Sequence, residues 1–363
     1  MLMNPAKAGA IASLIAVSAL GLSSCARTPV QPYAQNATID CGGKQGLVAS
    51  GSTAQANAMT RFIASYQKAC PGQTLTYTSN GSGAGVREFV AGKTDFGASD
   101  SPLRDQEYTT AKGRCNGADA WNLPVVFGPL AVTFNLKDVN VLTLDAPTIA
   151  RIFIGAITRW NDPAITALNG QMPAEDIHVV YRSDDSGTTD NFQQYLQAAS
   201  GGVWNRGAGK AFHGGTGQGA AGNEGTSAAV AKTEGAISYN EWSYALNQNM
   251  AAADIKTPAG IVHIGDDWVG KTLADAKITG NGDDLTVDLS AIYNTTTKGV
   301  YPIMLASYEI VCSKNPDAQV GKAVKAFLQS TTTVGQTDLT KSGYIPLPPE
   351  FQSKVAAAVN KLT

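Results

Sequence analysis

The stretch that decides the fold is residues 47–100, LVASGSTAQANAMTRFIASYQKACPGQTLTYTSNGSGAGVREFVAGKTDFGASD. Leu47 to Ser50 is a short strand-like run, and Gly51-Ser52-Thr53 follows it as a turn. Met59, Phe62, Ile63 and Tyr66 then fall at i, i+3, i+4 and i+7, which is one face of a helix. Pro71-Gly72 stops that helix. Thr74 to Thr78 alternates and is rich in β-branched residues, and Asn80-Gly81-Ser82-Gly83 turns into a second helix carrying Val86, Phe89 and Val90. Phe96 to Ser99 is another short strand, ending at Asp100. The order strand, turn, helix, strand, turn, helix, strand predicts a parallel arrangement in an α/β domain.

Working outward, the chain has 363 residues, 43% hydrophobic and 15% charged, with a net charge of −2. That composition supports a sizeable core and lacks the basic surplus that marks a nucleic-acid partner. At the N-terminus, Lys7 precedes an apolar stretch from Ala8 to Leu22, too short and too rich in Ala and Ser for a spanning helix. It reads as an export signal over residues 1–24. Residues 25–40 are polar, carry two prolines and show no periodicity, so they read as a flexible tether. Export implies an oxidising compartment, where Cys41, Cys70, Cys115 and Cys312 predict two disulfides. Three pairings satisfy that count. Cys41 and Cys70 each lie a few residues before a strand, and Cys115 and Cys312 flank two long apolar runs. The expected pairs are therefore Cys41 with Cys70 and Cys115 with Cys312. There is no Cys-x-x-Cys pair and His178, His213 and His263 are scattered, so neither a metal nor another cofactor is expected.

Trp121 to Asn135 and Tyr301 to Cys312 are long and apolar. Between them lies a second α/β series, with a strand at Ile177 to Tyr181 and a helix from Thr188 to Ala199. Gly214 to Gly225 reads as a surface loop opening a helix at Thr226. Helices are also expected from Pro316 to Phe327 and from Phe351 to Leu362. Three turns share one logic: Gly51-Ser52-Thr53, Gly81-Ser82-Gly83 and Ser186-Gly187-Thr188 each follow a strand and open a helix. Free N–H groups and a partial positive charge at a helix start favour an anion, glycine allows close backbone approach, and Ser or Thr adds a hydroxyl. Simple helix capping explains any one of them alone. Arg182 adds a forked cation, with Asp184 placed to hold it. Asp100 beside an anion is repulsive unless the ligand brings a proton.

The segments ASGSTAQ (49–55), NGSGAGVREF (80–89), DFGASD (95–100) and YRSDDSGTTDNF (181–192), in this order and spacing, resemble the periplasmic phosphate-binding component of bacterial ABC phosphate transporters. GNEGTSAAVAKTEGAISYNEWSYA (222–245) is similar to that family too. Leu22-Ser23-Ser24-Cys25 resembles a lipobox, and with the paired cysteines it resembles the mycobacterial lipoprotein members. The resemblance implies a two-lobed α/β fold of the type II-like periplasmic-binding class. Each lobe would be a mixed sheet flanked by helices, with the ligand cleft between them. Lobe I would span 41–133 and 303–363, and lobe II 134–302. It implies inorganic phosphate as ligand, a membrane permease as partner, and a palmitate-type lipid on Cys25 holding the protein on the outer face of the cell membrane. Thr53, Ala54 and Ser82 would donate from lobe I, and Ser186, Gly187 and Thr188 from lobe II. Asp100 would accept the phosphate proton, and Arg182, held by Asp184, would bind phosphate oxygens. Two positions depart from the pattern. Ala54-Gln55 stand where an aromatic residue and proline are frequent, which predicts a more open lip, and Asp185 replaces a frequent glycine, adding negative charge at the mouth. The alternative is a phosphatase or phosphotransferase using Ser186 or Asp184 as nucleophile, but no general base accompanies them, so no enzymatic activity is expected.

Overall fold

The computed structural model describes residues 38–265 and 272–363. The export signal and Cys25 lie outside the described residues. The chain opens with strand β1 (Gly46–Gly51), helix α1 (Ala56–Ala69), β2 (Thr74–Ser79), α2 (Ser82–Val90) and β3 (Phe96–Ser99). β1 pairs in parallel with both β2 and β3, so each helix is a crossover. Glycine lets α2 lie directly on the sheet. A Cβ on Gly85 would stand 2.5 Å from the Ala98 carbonyl oxygen and 2.6 Å from the Gly51 Cα. The glycines of the quoted stretch therefore serve helix–sheet contact as well as turns.

Helix α3 (Asp105–Arg114) leads into β4 (Ala120–Asn135), a 16-residue strand buried along nearly its whole length. Such a run, buried on both faces, reads as continuously apolar. Then follow β5 (Thr143–Asp145), α4 (Ala146–Phe153), α5 (Pro163–Asn169), β6 (His178–Arg182), α6 (Gly187–Ala199), β7 (Gln218–Ala220), α7 (Gly222–Lys232), β8 (Ala236–Glu241) and α8 (Trp242–Asn247). Short strands β9 (Ala251–Ala252), β10 (Asp254–Thr257), β11 (Gly260–Val262), β12 (Lys277–Ile278) and β13 (Val287–Asp288) precede β14 (Met304–Cys312).

The main sheet runs β2-β1-β3-β14-β4-β8-β6-β7, with β9 added on β4. β14 runs antiparallel to β3 and to the first part of β4, from Cys312 opposite Ala120 to Met304 opposite Pro129. The last six residues of β4, Leu130 to Asn135, pair instead with β8. Strands β4 and β14 therefore join a first half of the sheet (β1 to β3) to a second (β6 to β8). Both halves place parallel strands beside these antiparallel joining strands, so the sheet is mixed.

The second half departs from expectation around Gly214 to Gly225. The loop contains β7, parallel to β6, and the helix begins at Gly222 rather than Thr226. Three residues held by backbone bonds leave no side-chain period to read. The late helices are Ala318–Thr331 and Pro349–Lys361, the latter with proline at its first position, where a missing N–H costs nothing. In the core, Tyr66 of α1 and Phe96 of β3 both pack on Phe327, and Phe192 of α6 stacks on Tyr239 of β8. Cys41 and Cys70 form one disulfide and Cys115 and Cys312 the other, with Cα separations of 5.5 and 5.4 Å.

Candidate anion-binding site

The site forms where the turns after β1, β2, β3 and β6 converge, beyond the carboxyl ends of those strands, the usual ligand position in open α/β sheets. The turn after β1 is held from outside by three phenols. Tyr77 donates to the Ser52 carbonyl at 2.6 Å and Tyr344 to the Ala54 carbonyl at 2.6 Å, while Tyr244 shares its one proton between the Thr53 carbonyl and the Glu224 carboxylate, both at 2.9 Å. Burial pushes the pKa of all three phenols up, so they remain donors. With three consecutive carbonyls engaged on one side, the N–H groups of Thr53 and Ala54 face the other. Among the described residues those two N–H groups meet no acceptor, and the same holds for Ser82 at the start of α2 and for Gly187 and Thr188 at the start of α6. Five backbone donors from three turns are thus left free among the described residues, each at or next to a helix start.

Asp100 lies at the end of β3, 3% exposed. Its Oδ1 accepts from Ser52 at 2.5 Å and from Ser307 at 2.7 Å, and its Oδ2 accepts a longer bond from Ser82 at 3.2 Å. Burial raises its pKa, and the three serines and the Arg182 charge pull it back only in part. Oδ2 is therefore the less engaged of the two oxygens and has room to accept a further hydrogen bond.

Arg182 ends β6 and is also almost wholly buried. Asp184 grips it at two points, with Nε at 2.8 Å and Nη2 at 2.5 Å. Asp184 also accepts the Gly222 N–H at 3.0 Å. Burial works to raise the Asp184 pKa, but the bonds and charge of Arg182 and the Gly222 N–H outweigh it and leave it lowered. The Arg182 Nη1 edge faces away from Asp184 and reaches the Thr188 hydroxyl at 3.2 Å. The fork thus spends two donors on its holder and one on Thr188, which leaves two of its five N–H groups.

The turns of the two halves touch. The Gly83 N–H donates to the Asp185 carbonyl at 2.9 Å, and Asn191 donates from α6 to the Asp100 carbonyl at 2.8 Å. Gly187 lies so close to the facing turns that a Cβ there would fall 2.6 Å from both the Asp100 Cβ and the Ser82 Oγ. A Cβ on Gly81 would stand 2.4 Å from the Asp184 Oδ2.

All nine residues expected at the site, Thr53, Ala54, Ser82, Asp100, Arg182, Asp184, Ser186, Gly187 and Thr188, lie on these converging turns. Their individual parts differ. The Ser186 hydroxyl oxygen caps its own helix, accepting the Thr189 N–H at 3.1 Å. Two expectations about the rim change. Ala54 and Gln55 are fully buried, with Ala54 tied to Tyr344, so they do not form an open lip. Asp185 does stand at the rim, but it is ion-paired with Arg87 of α2, which cancels its charge. Sequence reasoning missed the three tyrosines, Ser52 and Ser307 beside Asp100, and Asn223, which donates to the hydroxyls of both Thr53 and Thr188. Glu241 and Glu309 are likewise buried nearby, and burial pushes both carboxyls well above the usual range. Among the described residues no group of three or more His, Cys, Asp or Glu side chains is placed to hold a metal ion.

Comparison with known proteins adds a second line of evidence. The family profile described as the PBP superfamily domain matches residues 28–332. Phosphate-binding protein PstS 3 of Mycobacterium tuberculosis is 57% identical over 364 residues, covering 98% of each chain. The protein of the same name from Mycobacterium leprae is 55% identical over the same shares. In three dimensions, the phosphate-binding protein of Stenotrophomonas maltophilia aligns with a TM-score of 0.65 at 19% identity, covering 86% of this chain and 94% of that one, a likeness of fold.

Proposed function

We propose a function from the premise that this chain belongs to the PBP superfamily: it binds inorganic phosphate outside the cytoplasmic membrane and delivers it to an ABC permease for import. The observation that carries the reading is the meeting of three turns that hold five backbone N–H groups free among the described residues, together with the Arg182 fork and a buried carboxylate, Asp100, that has an oxygen able to accept. That combination suits an anion that brings its own proton. Hydrogen phosphate would place its bare oxygens against Thr53, Ala54, Ser82, Gly187, Thr188 and Arg182, and donate its P–O–H to Asp100 Oδ2. Sulfate at neutral pH has no such proton and would set bare oxygen against the carboxylate, so it would be rejected through repulsion and an unmet donor requirement. Ser186 and Asp184 act as supports, the first capping α6 and the second holding Arg182.

In this reading residues 41–133 and 303–363 form one lobe and 134–302 the other, with β4 and β14 as the crossings and a hinge motion opening the junction. The Cys25 lipid would hold the protein at the outer face of the membrane, with the polar residues after it as tether. Conversion of a phosphate ester is not part of this function, since Ser186 is engaged as a cap and Asp184 by Arg182. The deciding experiment is a calorimetric titration of the purified protein with phosphate and with sulfate, beside a turnover assay on a phosphomonoester. Tight phosphate binding, weak sulfate binding and no turnover are expected. Equal affinity for the two anions, or hydrolysis, would overturn the reading. For the anchor, Cys25→Ala should move the protein from the membrane to the soluble fraction and abolish acyl labelling.

A further inference from the structure

Asn223 lies in the first turn of α7, fully buried, where the two halves of the sheet meet. Its Oδ1 accepts the Glu241 backbone N–H at 2.9 Å. That contact settles which way the amide faces, because only the oxygen can accept. The Nδ2 must then point the opposite way, where it donates to Thr53 Oγ1 at 2.9 Å and to Thr188 Oγ1 at 3.3 Å. The Asn223 backbone N–H also donates to Thr53 Oγ1, at 3.1 Å. Thr188 Oγ1 accepts a second bond from Arg182 Nη1 at 3.2 Å. A hydroxyl has two lone pairs and one proton. Both lone pairs of Thr53 and both of Thr188 are therefore taken. Neither hydroxyl proton meets an acceptor among the described residues.

We propose that Asn223 is a specificity-determining positioning residue that turns two threonine hydroxyls, one from each half of the protein, into obligate donors toward the ligand. An unconstrained hydroxyl rotates and can either donate or accept. With its lone pairs occupied it can only donate, and its direction is set before the ligand arrives, so no reorganisation is needed on binding. A ligand must then present bare oxygens to Thr53 and Thr188, while Asp100 alone takes a proton. This inference rests on the phosphate reading and assigns a task to a residue outside the ligand's own contacts.

The test is a mutant cycle read by phosphate calorimetry, with thermal unfolding measured alongside. Asn223→Ala should weaken phosphate about 10- to 100-fold, the effect of losing aimed hydrogen bonds to a charged ligand. Asn223→Asp, which keeps the acceptor for Glu241 but attracts both hydroxyl protons to itself, should weaken it further. In a Thr53→Val background, which lacks the hydroxyl that Asn223 contacts twice, the Asn223→Ala effect should shrink to about threefold, because interacting positions are not additive. A merely structural asparagine would lower the unfolding temperature and give the same fold-loss in both backgrounds, and that result would overturn the proposal. Should Asn223→Ala fail to fold, Asn223→Asp carries the same comparison, and wild-type affinity in that variant would overturn the proposal equally. A wild-type protein that binds no phosphate would overturn the functional reading instead, which keeps the two failures apart.

Discussion

Replacing Asp100 by asparagine should separate affinity from stability. The Asp100 Oδ1 accepts two serine hydroxyls, Ser52 and Ser307, so the side-chain oxygen of an asparagine will occupy that place. The amide nitrogen then stands where Oδ2 was, 3.2 Å from a Ser82 oxygen that is able to accept. The Ser82 hydroxyl, which already accepts the residue-100 N–H, then takes a second donor, and its proton has to turn from Oδ2 toward the site. Burial raises the pKa of Asp100 above its ordinary value of 3.8. A carboxyl raised in the folded state holds its proton there after the unfolded chain has lost it, so stability falls as pH climbs from about that value through the raised one. The cost is therefore present at neutral pH and absent in acid. Asp100→Asn removes it, so the variant should unfold at an equal or higher temperature than wild type at pH 7, with the gap closing below the ordinary carboxyl range. Phosphate should behave in the opposite sense. Its P–O–H loses a charged acceptor and meets an N–H donor, a loss of about 1.5–3 kcal/mol, or about 10- to 150-fold in Kd. Sulfate should gain, because a like charge has gone. Competition of sulfate against labelled phosphate, at fixed pH and ionic strength, measures both. A variant that keeps phosphate affinity within about threefold, or still excludes sulfate as strictly as wild type does, would refute the role given to Asp100.

Arg182→Ala should cost more than about 3 kcal/mol of phosphate binding, because it removes the cation and leaves the partly buried Asp184 beside the anion with only the Gly222 N–H to offset its charge, while Thr188→Ala should cost about 1–3 kcal/mol; equal losses by calorimetry would remove Arg182 from the ligand. Glu309 is buried in β14, and its two carboxyl oxygens meet no hydrogen bond of good geometry. Burial holds its pKa well above the ordinary 4.5, so its ionisation destabilises the fold as pH rises beyond that value. Glu309→Gln should raise the unfolding temperature at pH 8 relative to wild type, with the difference vanishing at pH 4, and a difference that persists in acid would point to packing instead. Replacing Cys115 and Cys312 together by serine should cost about 2–5 kcal/mol in urea unfolding, and an unchanged midpoint would mean the bridge constrains little of the unfolded chain.

Much of the site was legible because its chemistry is local. A glycine beside a hydroxyl at the end of a strand announces a backbone that can present N–H groups, and it did so at Ser52–Thr53, at Ser82 and at Ser186–Thr188. The long strands were legible because burial on both faces leaves an unbroken apolar run, as in β4. What escaped was assembled from a distance. Tyr77, Tyr244 and Tyr344 fasten three consecutive carbonyls from three separate segments, and nothing near any of them in sequence announces that shared task. Ser307 is one small polar residue in an apolar strand, and only the fold brings it to Asp100. Asn223 sits in a first helical turn, where asparagine ordinarily signals a cap. The charge at Asp185 was legible as an exposed one, yet its neutralisation depended on Arg87, 98 residues earlier in the chain.

The balance of formal charge around the site has a consequence for rate. Arg182 contributes one positive charge, Asp184 cancels it, and Asp100 leaves the surround negative, while the Arg87–Asp185 pair at the rim adds nothing net. The attraction for an anion comes from oriented N–H and O–H dipoles, whose influence fades within a few ångströms. No long-range field draws phosphate in, and Coulomb steering is the part of association that dissolved salt suppresses. Encounter should therefore proceed at the pace of unassisted diffusion and orientation. The association rate constant should change little between dilute and concentrated sodium chloride, and the ligand's grip should reside in slow escape from a closed, dry cage.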